Sequence, residues 1–325
     1  MHRRIFHRLA GAAAAALIAA TCQPALAQDP WPTKPIRLVV PFAPGGSNDV
    51  IARRLGIKLG TALGQTVVVD NRAGGGSTVG SNVVATSAPD GYSLLFVSGS
   101  LATTAAVQKL PYDPLTAFVP VSRVASAPFV VLTREGFPAK TMPELIAYAK
   151  ANPGKINYGS AGLGDSTQLA TELLGNVAGI KMEPVGYKGI APAQMDVIAG
   201  RLDLVITTVA SIRGTAGEKL PMLGFTSEAR NPDYPAVPTV KESTGLDYVV
   251  DVWWGVFGPK GLPVAIRDRL NKEIAIAVAD PEFGVFLKSA GAMPAPSTPA
   301  LLQDLLVQDV RRWTDTARRA GIQVQ

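Results

Sequence analysis

Histidine and cysteine are nearly missing from this 325-residue chain. The two histidines, His2 and His7, and the single cysteine, Cys22, all precede Ala25-Leu26-Ala27, a small-x-small sequence that reads as a signal-peptidase cut ahead of Gln28. A chain processed there carries neither imidazole nor thiol. That excludes Ser-His-Asp and Cys-His nucleophilic systems, imidazole general bases, the usual zinc sites and any disulfide framework. No metal and no cofactor is expected. Surplus charge is scarce as well. Cutting after Ala27 leaves 298 residues and removes three arginines and no acid, so the net charge falls from +6 to +3. With no Lys/Arg run, there is no electrostatic footprint for nucleic acid. Beyond the leader, no segment approaches the ~20 apolar residues of a membrane-spanning helix.

The leader itself, residues 1–27, has a positive start in Arg3, Arg4 and Arg8 and an alanine-rich apolar stretch from Leu9 to Ala20. Arg3-Arg4-Ile5-Phe6 also matches the core of a twin-arginine signal, so both general secretion and export of the folded chain stay open. Either route predicts a periplasmic protein.

What is abundant is glycine at the ends of apolar runs. Ile36 to Val40 reads as a buried strand, broken by Pro44-Gly45-Gly46-Ser47, with a helix after it: Ser47 as cap, Asp49 in the first turn, Ile51, Leu55 and Leu59 on one face. Thr66 to Val69, then Gly74-Gly75-Gly76-Ser77 and a helix through Val79, Val83 and Val84, repeats the design. Tyr92 to Val97 is a third strand, ending at Ser98-Gly99-Ser100. The alternation predicts parallel, doubly wound α/β sheets.

After residue 120 the pattern restarts. Thr141-Met142-Pro143-Glu144 is a capping box opening a helix to Ala151. Strands are predicted over Lys155–Tyr158, Met182–Tyr187, Leu202–Thr207 and Leu220–Phe225, and a final helix carries Leu302, Leu305, Leu306 and Trp313 on one stripe. Two long extended stretches, Val121 to Thr133 and Tyr248 to Phe257, bracket the middle of the chain. They read as crossovers between one lobe made of residues 28–126 and 249–325 and another made of 127–248, lobes that hinge and close on a ligand.

Ligands of open α/β sheets sit outside the carboxyl ends of strands, where helix starts present unpaired N–H groups suited to an anion. The richest such junction is Ser160-Ala161-Gly162-Leu163-Gly164-Asp165-Ser166-Thr167. Trp253-Trp254 reads as packing, Lys188 as a solvated charge and Asp49 as a partner of its helix dipole.

At these junctions the chain resembles the Bug family, the periplasmic solute-binding subunits of tripartite tricarboxylate transporters. The likeness rests on Trp31 to Phe42 with Gly45-Gly46 and Asp49, on Asn71-Arg72-Ala73-Gly74 and Ala88-Pro89-Asp90-Gly91-Tyr92, and on Lys109-Leu110-Pro111-Tyr112-Asp113. It continues through Ala151-Asn152-Pro153-Gly154-Lys155, Tyr158 to Gly162, Tyr187-Lys188-Gly189 and Asp280-Pro281-Glu282. The resemblance implies a two-lobe Venus-flytrap fold of the type II-like periplasmic-binding-protein kind with two crossover strands. It implies a small organic carboxylate held between the lobes by backbone amides and ordered waters, and delivery to the transporter's membrane permease subunits by a monomer. Carried across residue by residue, Phe42, Pro44, Gly45, Gly46, Ser47, Ser98 and Ser100 would line one side of the site. Ser160, Ala161, Gly162, Gly164, Ser166 and Thr167 would line the other. Gln168 stands where many relatives have histidine, and Thr207-Thr208 where many have Asp-Asn; both threonines join the expected site. Losing that carboxylate leaves an ammonium without an evident partner, so simple acids are expected to bind better than amino acids.

Two rivals use the same lobes. One is a periplasmic ligand sensor reporting to a membrane receptor. The other is an exported enzyme, which would need a base and an electrophile from Asp, Glu, Lys or Tyr, and no two acids share a glycine loop. The residues favour binding without catalysis.

Overall fold

Five residues, Ile36–Val40 (β1), are almost wholly buried, as a strand covered on both faces must be. The computed structural model describes residues 31–215, 219–319 and 321–322, and every element named here belongs to the unit that begins at Lys34. The leader expected over residues 1–27, with His2, His7 and Cys22, lies outside the described residues. After β1 the chain turns through Gly45 and Gly46 into helix α1 (Ser47–Leu63), which buries Ile51, Leu55 and Leu59. Gly46, not Ser47, takes the cap position, and Ser47 is the first helical residue. Asp49 accepts from the Gly45 amide at 3.0 Å and pairs with Arg53 at 2.7 Å, so it serves the helix start.

Strand β2 (Val67–Asn71), a single turn over Gly75–Ser77, helix α2 (Thr78–Ala85) and strand β3 (Ser93–Ser98) follow as the glycine punctuation predicts. Helix α3 (Ser100–Val107) comes at once, where the sequence shows only the end of a strand. Seven of its eight residues are buried, so it has no polar face and no period to read.

The first sheet runs β11-β4-β10-β3-β1-β2, with β4 over Phe118–Pro128, β10 over Asp251–Pro259 and β11 over Met293–Pro294. The second runs β7-β6-β8-β5-β9: Glu183–Gly186, Asn157–Ser160, Leu204–Thr207, Val130–Thr133 and Met222–Phe225. Each sheet anchors one lobe. Both are mixed, which corrects the expectation of parallel sheets. β1 is parallel to β2 and β3, and β6 to β7 and β8, but β10 lies antiparallel to β3 and β4, and β5 to β8 and β9. The exceptions are β10 and β5, beside the lobe crossings, and the two-residue β11, antiparallel to β4; their direction is set by connectivity rather than by residue pattern.

Helices α4 (Met142–Ala151), α5 (Ser166–Ala178), α6 (Ile190–Ile198), α7 (Val209–Gly214) and α8 (Val240–Thr244) belong to the stretch that builds the second sheet. Helices α9 (Val264–Ala279), α10 (Pro281–Ser289) and α11 (Pro299–Arg319) follow β10, and α9 and α11 pack on β4. Thr141 caps α4 by accepting from the Glu144 amide at 3.3 Å, while the Glu144 carboxylate bonds the Lys140 amide instead of closing the box on Thr141. On α11, Leu302, Leu306 and Trp313 are buried as expected and Leu305 is half-buried. Trp253 and Trp254 are both core, and Trp253 Nε1 donates to Asp309 Oδ2 at 2.7 Å.

The lobes are joined at a narrow place. Phe129 alone separates β4 from β5. The return path passes Thr226 and reaches Val250 before β10, and one fully buried threonine ties the two crossings together. The Phe129 amide donates to Thr226 Oγ1 at 2.8 Å, the Thr226 hydroxyl donates to Val250 O at 2.5 Å, and the Val250 amide returns a bond to Thr226 O at 3.0 Å. Thr226→Val keeps the shape and removes that oxygen, leaving the Phe129 N–H without this acceptor. Such a loss costs about 1–3 kcal/mol, and urea denaturation of the variant against the parent checks it; a cost near zero would show that the two crossings do not depend on this side chain.

Candidate functional site

The two lobes meet backbone to backbone at the loops that follow their strands. The Ala43 amide donates to Lys188 O at 2.9 Å, and the Ser47 amide donates to Ser211 Oγ at 2.8 Å. On the other side of the cleft, Ser100 Oγ donates to Asp165 Oδ2 at 2.9 Å, and Gln108 Nε2 bonds Leu163 O. Glycine is demanded at this seam. A Cβ on Gly76 would lie 2.1 Å from Leu163 O, and one on Gly214 would lie 2.3 Å from Gly45 O.

Enclosed by the seam is a cavity of about 20 Å³. Phe42, Gly46, Ser47, Asn48, Ser98 and Val252 line it from the first lobe, and Ala161, Asp165, Ser166, Thr167, Ile190, Thr207, Thr208 and Ser211 from the second, with Phe129 at the crossing. Of the residues the sequence nominates, Phe42, Gly46, Ser47, Ser98, Ala161, Ser166, Thr167, Thr207 and Thr208 are brought together here. Pro44, Gly45, Ser100, Ser160, Gly162 and Gly164 are not among the lining. Pro44 is exposed. Gly45, Gly162 and Gly164 lie at the seam, where a Cβ would meet Ala191 at 3.3 Å, Gly76 at 3.0 Å and Val107 at 2.6 Å respectively. Ser100 stands behind the wall, bonded to Ser98 Oγ at 2.9 Å and to Asp165. Ser160 is buried with its hydroxyl unpartnered.

The sequence reading misses Asn48, Phe129, Asp165, Ile190, Ser211 and Val252. Phe129, Ile190 and Val252 carry no local signal of a site. Asp165 does: an acid directly after Gly162-Leu163-Gly164 and before a helix must cap that helix, and the cap of a helix start in a cleft faces the cleft.

The polar groups are distributed unequally. The expected grip of the Ser160–Thr167 loop through its amides is largely spent inside the loop. The Thr167 amide donates to Asp165 Oδ1 at 2.8 Å, the Ala161 amide to Thr167 Oγ1 at 3.1 Å and the Gly164 amide to Gln168 Oε1 at 2.7 Å. Helix α7 is capped by Thr208, which accepts from the Ser211 amide. Helix α1 differs: Gly46 at its start offers no capping side chain, the Ser47 amide is taken by Ser211 Oγ from the other lobe, and Gly46, Ser47 and Asn48 face the cavity. Two lining atoms, Asn48 Oδ1 and Thr207 Oγ1, are buried without a hydrogen-bond partner among the described residues. Among the described residues no lysine, arginine or histidine lines the cavity, and Asp165 is its one acidic residue. Burial pushes the Asp165 carboxyl above the ordinary aspartate range, against the pull of the bonds from Thr167 and Ser100. The cleft therefore does hold a carboxylate, supplied by the loop itself. The premise that an ammonium would find no partner here is corrected.

Larger depressions lie elsewhere: about 730 Å³ beside α1 and β2, and about 580 Å³ between α1 and α10, where Lys58 pairs with Asp280 and Glu282. Neither contains one of the buried unpartnered polar atoms. Among the described residues no group of three or more His, Cys, Asp or Glu is placed to hold a metal ion, and no helix is long and apolar enough to cross a membrane.

Comparison with known proteins agrees on one kinship. The family model described as "Tripartite tricarboxylate transporter family receptor" matches residues 51–322. Protein BugT of Bordetella pertussis is 34% identical over 301 residues, 91% of this chain and 92% of its own length. Rpa4515 of R. palustris, solved with adipate, is 32% identical with a TM-score of 0.87, covering 91% of this chain and 100% of that one. MatC from Rhodopseudomonas palustris, solved with bound malate, is 29% identical with a TM-score of 0.83 over 88% of this chain and 99% of that one.

The seam gives a direct test. In Gly76→Ala the new methyl group must push Leu163 O away, and Leu163 belongs to the other lobe. Far-UV circular dichroism should be unchanged, while small-angle scattering should give a larger radius of gyration than the parent. Parent-like scattering would mean that the lobes do not meet at Gly76.

Proposed function

The chain belongs to the tripartite tricarboxylate transporter receptor family, and we propose that it captures a small organic carboxylate between its lobes and delivers it to the membrane subunits of such a transporter. The observation that carries this reading is the cavity at the start of α1, where Ser211 takes the Ser47 amide but no bond is made by the Asn48 amide among the described residues. There an anion would meet that amide and the positive end of the helix dipole, with the Thr207 hydroxyl, unpartnered among the described residues, as a further donor. Phe42, Phe129, Ile190 and Val252 suit a carbon skeleton attached to that carboxylate. Relatives solved with adipate and with malate support the same ligand class.

The proposal has structural terms. The lobes divide the chain into 28–126 with 249–325, and 127–248. A cavity of about 20 Å³ holds little more than one water, so an acid enters and is held with the lobes further apart than they stand here. The protein acts as a monomer in the periplasm, after export and cleavage behind Ala27. It binds without turnover: a lone lining acid, with no base beside it, supports capture rather than chemistry.

Titration of the purified processed protein with adipate, malate and benzoate tests the reading. At least one acid should raise the melting temperature, because a ligand at about 100 times its Kd adds roughly 2.7 kcal/mol to stability. Thr207→Val should weaken that acid's binding by about tenfold, one hydrogen bond to a charged group. Mass spectrometry should recover the acid unchanged. A flat response to all three, or conversion of the recovered acid, would remove the proposal.

A further inference from the structure

We propose that Asp165 makes capture proton-linked: the cleft between the lobes holds the ligand's carboxylate together with a proton on Asp165, so that acid and proton are bound as a pair. This rests on the carboxylate reading above.

Asp165 lines the cavity at the cap of α5 and is 2% exposed. Its oxygens are served by neutral donors only. Oδ1 receives the Thr167 amide at 2.8 Å and the Thr167 hydroxyl, and Oδ2 receives the Ser100 hydroxyl at 2.9 Å from the other lobe, with Ser166 Oγ at 3.5 Å. Among the described residues, the elements packed against it place no cation beside it. α3, β3, β6 and β8 contain no lysine, arginine, aspartate or glutamate. Tyr158 on β6 is bonded to Glu172 on α5 itself. α11, which also packs on α5, brings Asp309 and Arg312, and Asp309 is engaged by Trp253 Nε1 at 2.7 Å and by Arg312 at 3.7 Å. On α1, Asp49 is paired with Arg53; on α7, Arg213 is exposed.

A carboxylate entering this space meets one favourable pole and one unfavourable one. The start of α1 supplies roughly half a positive charge, which suits a single anion. A second anion in the same enclosed cavity has no cation to neutralise it, and two carboxyl groups sharing such a space keep one proton between them. Burial already favours the protonated form of Asp165 before any ligand arrives. Asn48 Oδ1, an unpartnered acceptor in the same lining, gives a carboxylic O–H or a ligand hydroxyl somewhere to donate. The sign follows from linkage. Above the pH at which Asp165 ionises in the free protein, binding must take up a proton, so affinity falls as pH rises. Asparagine at the same position keeps the cap and carries no charge.

Calorimetry with malate, adipate and benzoate between about pH 6.5 and 9, where the acids are themselves ionised, tests this in phosphate and in Tris, whose ionisation heats differ. For the acid that binds, uptake should approach one proton per ligand toward the alkaline end, and Kd should weaken by up to tenfold per pH unit. Asp165→Asn should take up none, show a flat Kd and bind more tightly than the parent at alkaline pH. The parent's proton count stands by itself if the variant does not fold. An acid bound by the parent with no uptake and a flat Kd across the range overturns the inference while leaving carboxylate capture intact. Aspartate binding more tightly than malate, without uptake and lost in Asp165→Asn, overturns it in favour of an ammonium counter-ion. No binding of any acid removes the carboxylate reading and this inference with it.

Discussion

Everything about the cleft depends on how closely two backbones can approach. At Gly76 against Leu163 O and at Gly214 against Gly45 O, the distance left over is less than a methyl group. Side chains at those points would hold the lobes apart, and the hydrogen bonds from Ala43 to Lys188 O and from Ser47 to Ser211 could not form at the same time. The seam therefore fixes the facing of the α1 start toward Asp165, Thr207 and Thr208. It also fixes the small size of the cavity between them.

The seam is tight but not strong. A few hydrogen bonds cross it, each worth about 1 kcal/mol net because water competes for the same groups when the lobes part. Against it stands the Thr226 junction, whose bonds to the Phe129 amide and the Val250 carbonyl are buried and cannot be exchanged for water so cheaply. Motion is then directed. On the proposed reading the crossing would stay intact while the loops separate, a hinge with its pivot at the crossing residues. A ligand shifts that balance only through contacts that it makes in the closed arrangement and loses in the open one. Groups from both lobes around one cavity satisfy that condition.

How much of this was legible before the fold was known follows from range. Local chemistry was readable: a β-branched run marked β1 and an apolar one β3, Asp49 and Thr141 marked helix starts, and Gly45-Gly46 and Gly74–Gly76 marked the turns between. Strand direction was not, since an antiparallel β10 and a parallel β1 have the same buried apolar pattern. Helix α3 was invisible because it is buried nearly all round. In the site, the glycines were singled out as points of approach to a ligand, yet Gly45, Gly162 and Gly164 approach the opposite lobe, which no one-dimensional pattern distinguishes from approach to a ligand. Phe129, Ile190 and Val252 reach the cavity only through tertiary folding. Asp165 sat in plain view as a cap.

That cap sets the character of the proposed site. A helix start left open welcomes an anion; one closed by its own aspartate has already accepted one. The first lobe presents at α1 a start whose Gly46 carries no capping side chain and whose Asp49 is paired with Arg53, the second the closed kind at α5, and they face each other across the space the ligand would take. If Asp165 were replaced in thought by serine, both poles would attract and a dianion could be clamped end to end. With aspartate present, the second pole admits a neutral group, a shared proton or a cation, and rejects a bare second carboxylate. Selectivity in such a cleft comes from where charge is refused as much as from where it is received. A family-level statement about carboxylates therefore leaves the decisive choice to one residue of this chain.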